Sequence, residues 1–310
     1  MSKCLGCYQD IAEGKHYHPE CSLRVFGTRE PPELNYTLAD MKELARKIVR
    51  SQGIMTGVQP KISLGLEKTE KDRRRLTLMM GEFILKPPSQ HYPQMPETED
   101  LTMHLAMRCS IATVAHALIP LGSGELAYIT RRIDRAGRRK VHMEDFCQLS
   151  ELLTEDKYKS SMERVGKLTS QFSSSPGLDL FNLFELTLFN FITGNNDMHL
   201  KNFSLIDSDN GWTLSPAYDL LNVNLVNKKD QEESALTIAG KKRRLNKNDF
   251  LQLGRSYSLN DAQVRNAFRN VLERENDLLD FIGRSFLSED FRMKYRDILK
   301  TRCAVLREGI

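Results

Sequence analysis

From Thr37 to Arg50 the chain reads TLADMKELARKIVR, with apolar residues at Leu38, Met41, Leu44, Ala45, Ile48 and Val49. Recurrence at three and four residues predicts a helix with one buried face; Thr37 and Asp40 have capping-box spacing, and Gly53 is placed to end it. The period then changes. KISLGL at 61–66, RLTLM at 75–79 and EFILK at 82–86 are short alternating or apolar runs that predict strands. The charged link EKTEKDRRR between the first two reads as a solvated hairpin loop. PPSQHYPQMPETED at 87–100 predicts a loop, LTMHLAMRCSIATVAHAL after it a helix, ELAYITRRI at 125–133 a strand, and EDFCQLSELL a return to helix.

The most apolar block is LDLFNLFELTLFNFIT at 178–193, which follows a Ser-Ser-Ser-Pro-Gly loop. Apolar residues on every side predict a helix buried inside the protein, and its interspersed Asp, Asn and Glu exclude a membrane span. WTLSPAYDLL at 212–221 predicts a strand ending in a turn, ALTIAGKKRRLN at 235–246 a strand and basic turn, and the remainder from Lys247 a helical bundle.

At 310 residues, 40% hydrophobic and 28% charged, the chain has enough apolar material for about two domains. Its net charge of +4, from 45 basic and 41 acidic residues, is too small to imply nucleic acid or membrane binding. The first residues, MSKCLGCYQD, lack the apolar stretch of a secretory signal, so a cytoplasmic protein is expected. Of the six cysteines, Cys109, Cys147 and Cys303 read as small core residues. The other three crowd the N-terminus as Cys4-x-x-Cys7 and His18-x-x-Cys21. Three thiolates and an imidazole suit a tetrahedral zinc site, with His16 as an alternative to His18. Unliganded thiols in a loop are the competing explanation.

After the apolar block comes GNNDMHLKNFS, from Gly194 to Ser204. Polar residues behind a helix usually satisfy caps and turns. Asp197 and Asn202, however, have the interval of the Asp and Asn in the protein-kinase catalytic loop, where one orients the acceptor hydroxyl and the other binds metal. Asp219 in PAYDLL offers a second carboxylate for magnesium, and Lys86 at the end of FILK a cation for nucleotide phosphates. Each alone is commonplace. Their order along the chain is what points to phosphoryl transfer.

NNDMHLKNFSL followed by LSPAYDLL, with GVQPKISL and FILKPP upstream and RRIDR and EDFCQ between, resembles the HipA family of serine/threonine kinase toxins over nearly all of the chain after about residue 50. The resemblance implies an α+β, bilobal protein-kinase-like fold of the HipA/PI3-4-kinase type. With the Cys/His cluster read as a zinc knuckle at 1–36, it divides the rest of the chain into a small β-rich N-lobe at 37–120 and a larger helical C-lobe at 121–310. It further implies Asp197 as catalytic base, with His199 and Lys201 supporting its loop. Asn202 and Asp219 become Mg2+ ligands, and Gly57, Gln59, Lys61 and Lys86 contacts to ATP.

The family's autophosphorylated loop serine falls on Ile54. The second loop serine of the shorter HipT type falls on Thr56, which is the preferred autophosphorylation candidate ahead of Ser51 and Ser63. The chain has no room for the additional N-terminal subdomain of full-length HipA, so it is most similar to HipT, the toxin of HipBST-like systems. The implied partners are a HipS-like small protein, a HipB-like DNA-binding antitoxin and a protein substrate, in relatives an aminoacyl-tRNA synthetase. Neither a membrane nor direct DNA contact is expected. Two rivals remain: a catalytically weak relative acting as a binding component of an antitoxin–DNA complex, and a small-molecule kinase on a related fold.

Overall fold

A computed structural model describes residues 2–52, 60–70, 73–137, 139–227 and 230–308. The chain forms two compact units: residues 1–101, 114–140 and 284–287 make one, and 102–113, 141–283 and 288–310 the other. The first unit therefore runs past residue 120, where the sequence suggested a boundary.

In the first unit a short pairing of β1 (Ser2–Lys3) with β2 (Asp10–Ile11) leads to α1 (Pro19–Phe26) and α2 (Leu38–Gln52). A sheet follows, built from β3 (Ile62–Lys68), β4 (Arg74–Leu78), β5 (Phe83–Lys86), β6 (His116–Pro120) and β7 (Leu126–Arg131) in the order β4-β3-β5-β7-β6, antiparallel throughout. Alternation aims Ile62, Leu64, Phe83 and Leu85 into one core, where they join Met41 of α2 and Val25 and Phe26 of α1. Both sheet edges are covered by the N-terminal segment. The backbone of Glu33 exchanges hydrogen bonds with Arg74 and Leu76 on β4, and Leu118 on β6 donates to the carbonyl of Leu5. A small hairpin of β8 (Arg135–Ala136) and β9 (Arg139–Lys140) ends this unit's second segment.

The helix expected over 101–118 differs. It begins earlier, as α3 (Met95–Arg108), and the chain is extended again by β6. Pro96 in the first turn suits a helix start. Ser110 in a left-handed conformation (φ 61°) breaks the helix, after which β-branched Ile111, Thr113 and Val114 favour extended chain.

The second unit has a three-stranded antiparallel sheet, β10 (Met143–Asp145), β11 (Ser204–Ser208) and β12 (Gly211–Leu214), with β11 central. Its helices are α4 (Phe146–Leu149), α5 (Met162–Phe172), α6 (Pro176–Ile192), α7 (Val223–Val226), α8 (Lys247–Ser256), α9 (Asp261–Leu272), α10 (Glu275–Arg284) and α11 (Glu289–Arg307). The apolar block is α6, which packs against α5, α8, α9 and α11. Leu183, Phe184, Leu188, Phe189 and Ile192 are wholly buried, and the Phe184 ring meets Tyr257 and Phe268 edge-on.

Two expectations fail here. EDFCQLSELL holds a strand end and only one turn of helix, because Asp145 caps α4 with a reciprocal capping box and Glu151 turns left-handed at φ 56°. ALTIAGKKRRLN forms no strand: Ala239 and Gly240 both have positive φ, so Ile238 turns straight back to a single bridge with Lys241. Among the described residues no helix is long and apolar enough to cross a membrane.

Two glycines give opposite expectations for one substitution. A Cβ on Gly166 of α5 would lie 2.1 Å from Cε1 of Tyr257, whose ring is fixed by its hydroxyl donating to the Met162 carbonyl at 2.7 Å. Gly177, in the first turn of α6, has nothing within 4 Å of the same position. Gly166→Ala is expected to lower stability by about 1–3 kcal/mol through overpacking, and Gly177→Ala to raise it by up to about 1 kcal/mol. Urea unfolding of the two variants reads both signs.

Candidate active site

Helix α6 ends inside the protein, and the residues that follow close its end. Thr193 donates from N and Oγ1 to the Phe189 carbonyl, Gly194 N to Phe191, and Asn195 N to Asn190. Gly194 is left-handed (φ 69°), and a Cβ there would fall 2.9 Å from Asn222 Oδ1, so only glycine fits without displacement. Asn196 before it and Met198 and Leu200 after it are buried, which leaves Asp197 half-buried before a single 3-10 turn, Leu200–Asn202, enters β11.

Three hydrogen bonds set the loop. Asn202 Nδ2 donates to the main-chain oxygen of Asp197 at 2.9 Å, which turns its amide oxygen outward from that contact. Tyr158 OH donates to Asp197 Oδ1 at 2.6 Å, engaging one carboxylate oxygen. Burial, followed by the Asp197 charge, raises the Tyr158 phenol well above its ordinary range, so it is a donor. The Asp197 N–H reaches Asn195 Oδ1 at 3.3 Å. His199 is buried with its ring edge-on to Tyr158, 4.9 Å between centroids. The Lys201 ammonium pairs with Asp145 Oδ2 at 2.8 Å, tying the loop to the cap of α4.

Asp219 has φ 56°, a left-handed conformation that few residues other than glycine adopt and that Asp tolerates better than most. Its neighbours hold it there. The Tyr218 hydroxyl lies 2.5 Å from Ser204 Oγ and donates to the Lys201 carbonyl at 3.2 Å, and Leu220 is wholly buried. The turn bearing Asp219 is thus fastened to the loop bearing Asp197 and Asn202. The Asp219 carboxylate and the Asn202 amide oxygen are hard donors of the type magnesium takes.

In the first unit, Lys86 ends β5 and is 4% exposed; Glu99 on α3 is 2% exposed and forms an ion pair with it. The Lys86 ammonium also lies 5.3 Å from the centroid of Tyr128, its cross-strand partner. Next to Glu99, Asp100 accepts from Tyr8 OH and meets His116 Nδ1, both at 2.7 Å, so α3 is moored on two sides. Glu99 escaped the sequence reading because 87–100 was read as loop. The signal was present in MPETED: a proline and acidic residues in a first helical turn mark a helix start.

Thr56, Gly57 and Gln59 lie outside the described residues, and the backbone of Ser51 is in the last turn of α2. Lys61 is exposed just before β3, and Ser63 within β3 accepts from Gly81 N at 3.1 Å. Cys4, Cys7, His18 and Cys21 come together, whereas His16 stands outside the cluster. Hydrogen bonding from Cys21 and then Cys7 holds the Cys4 thiol well below the ordinary range, and the same sharing pushes Cys21 well above it. Cys109 and Cys303 are buried, which pushes both thiols up to about 12.

A model of the HipA-like C-terminal domain matches residues 53–278. "Putative kinase Y4dM" of Sinorhizobium fredii is 31% identical over 238 residues, 71% of this chain and 57% of that protein. The "Serine/threonine-protein kinase toxin HipA" of Shewanella oneidensis is 25% identical over 199 residues, 57% of this chain and 45% of that protein. The chain thus spans about half the length of the curated relatives it matches. Among solved structures, the Shewanella oneidensis complex of HipA, HipB and operator DNA aligns at a TM-score of 0.68 and 23% identity, over 81% of this chain and 64% of that one. The Helicobacter pylori proinflammatory kinase CtkA aligns at 0.53 and 15%, over 79% and 95%. The fold is therefore the α+β fold of these kinases.

The Lys86–Glu99 pair can be tested without substrate. Removing one partner of a buried pair strands the other charge at a cost of about 3–5 kcal/mol, whereas replacing both with apolar residues is far cheaper. Lys86→Met and Glu99→Leu are each expected to lose stability in that range in urea unfolding, and the double variant much less than their sum. Strict additivity would show that the two are not coupled.

Proposed function

We propose, from the premise that the chain belongs to the HipA-like C-terminal domain family, that it is an ATP-dependent protein kinase. The observation that carries this reading is the hydrogen bond from the Asn202 amide to the main chain of Asp197. It gives the D-x-x-x-x-N spacing a fixed division of labour, with a carboxylate for the acceptor hydroxyl and an amide oxygen for a cation.

The residues act as follows. Lys86, oriented by Glu99, holds the ATP phosphates. Tyr158 engages Asp197 Oδ1, leaving Oδ2 to receive the acceptor's proton as its oxygen attacks the γ-phosphorus and the bond to the β–γ bridging oxygen breaks, releasing ADP. Asn202 and Asp219 would hold magnesium, which supplies charge neutralisation at the β and γ phosphates. Lys201 and His199 keep the loop in place through Asp145 and Tyr158. Catalysis on this account is positioning and electrostatics.

The acceptor is a serine or threonine hydroxyl of a protein, and likeness to HipA extends the reading to an aminoacyl-tRNA synthetase as target and to HipB-like and HipS-like partners. Self-modification would fall on Thr56, five positions before Lys61 in the sequence, where it would add about two negative charges and oppose phosphate binding.

The test is transfer of label from γ-labelled ATP to proteins of a cell lysate. The parent is expected to label at least one band as phosphoserine or phosphothreonine, and Asp197→Asn and Asp219→Asn to reduce that labelling at least about 100-fold. Labelling that survives both substitutions overturns the assignment, and phosphotyrosine in the band overturns the acceptor class.

A further inference from the structure

The N-terminal cysteines and histidine take no part in that reaction, yet their arrangement is specific. The Sγ atoms of Cys4, Cys7 and Cys21 and a ring nitrogen of His18 all lie within 4.8 Å of one another. At a zinc–sulfur distance of about 2.3 Å, sulfurs at two corners of a tetrahedron are about 3.8 Å apart, so the four atoms already surround one point. We propose that Cys4, Cys7, His18 and Cys21 bind a structural zinc ion that fixes the N-terminal segment to the sheet of the first unit.

Three independent features agree. The first is the orientation of the histidine. Nδ1 of His18 faces the sulfurs, 3.4 Å from Cys7 Sγ, while Nε2 lies 3.1 Å from the main-chain oxygen of Asp10. A carbonyl accepting from the outer nitrogen leaves the inner one deprotonated and selects the tautomer a metal needs. His16 has no such placement.

The second is the chain around Cys4. The N–H groups of Gly6 and His18 both point at its sulfur at 3.4 Å and so fix its position among the other three donors. The Cys4-x-x-Cys7 turn closes on itself through Tyr8 N to Cys4 O at 2.9 Å, with Tyr8 left-handed at φ 64°. Residues two to four positions apart are thereby bent around one centre. The third is donor type. One nitrogen and three sulfurs in a tetrahedral set select zinc over the oxygen-seeking divalent cations. All three cysteines are free, so no disulfide accounts for the crowding.

What the ion would secure is visible in the same residues. Leu5, inside the Cys4–Cys7 turn, accepts from Leu118 N of edge strand β6, and Tyr17, next to His18, donates its hydroxyl to the Leu118 carbonyl. Leu5, Tyr17, Val25 and Phe26 enter the core beside Phe83 and Leu85. The turn also presents Tyr8 to Asp100, the residue after Glu99. Only this last link, to the Lys86–Glu99 pair, rests on the kinase reading.

Metal analysis of the full chain, purified under reducing conditions without added metal, is expected to give about one zinc per molecule. A mercurial thiol reagent should release it, and reconstitution with cobalt should produce a thiolate-to-cobalt charge-transfer band with the visible bands of a tetrahedral ion. Cys21→Ser and His18→Ala should lose the metal, while His16→Ala and Cys147→Ser keep it. Should the first two variants fail to fold, the parent's stoichiometry and cobalt spectrum decide. Less than about half an equivalent of zinc together with no charge-transfer band overturns the proposal, as does full zinc retention in Cys21→Ser. Neither measurement involves ATP. A zinc-loaded chain that labels no protein counts against the kinase alone, and a labelling chain without zinc counts against the metal alone.

Discussion

A helix buried on every side over its C-terminal half, from Leu183 to Ile192, cannot leave its last carbonyls to water, so whatever follows α6 must satisfy them from within the protein. Thr193, Gly194 and Asn195 do this with their own amides and a hydroxyl. Because those bonds fix where the chain emerges, Met198 and Leu200 find the core at set positions and Asp197, just ahead of them, is left partly exposed. The polar residues of GNNDMHLKNFS thus serve two purposes in succession: the first few close a helix, and the next few form the loop that the closure has aimed.

Two tyrosines extend that control to both carboxylates. Tyr158 engages Asp197 directly, whereas Tyr218 grips the loop backbone beside Asp219. Burial is the leading cause of the raised phenol in each case. Both remain hydrogen-bond donors across the physiological range. The left-handed backbone of Asp219 would otherwise relax toward commoner conformations, and its persistence requires contacts of this kind on either side.

Much of this was legible in the sequence where periodicity and spacing were strong. Helix α2, the runs of β3 to β5 and helix α6 each appear at nearly the expected positions. The Asn202 side chain reaches the main chain of Asp197, and Cys4, Cys7, His18 and Cys21 lie together. The failures share a cause. Prolines and polar residues at 87–100 masked the first turn of α3 and hid Glu99. The apolar run after it continued a helical period through residues that Ser110 turns out of the helix and into β6. A single left-handed residue, or a sheet partner far away in sequence, outweighs local pattern in such places, as the turn at Ala239 and Gly240 also shows.

Leu5 and Glu33, whose backbones cover the two outer strands of the sheet, both precede every strand of that sheet in the chain. During synthesis the covers therefore emerge before the edges they will protect. A nascent chain that has just completed β7 already holds both covering segments, with no wait for the helices of the second unit. Unpaired edges are where partly made sheets recruit neighbouring chains. The order of segments here shortens the interval in which a ribosome-bound intermediate offers such an edge.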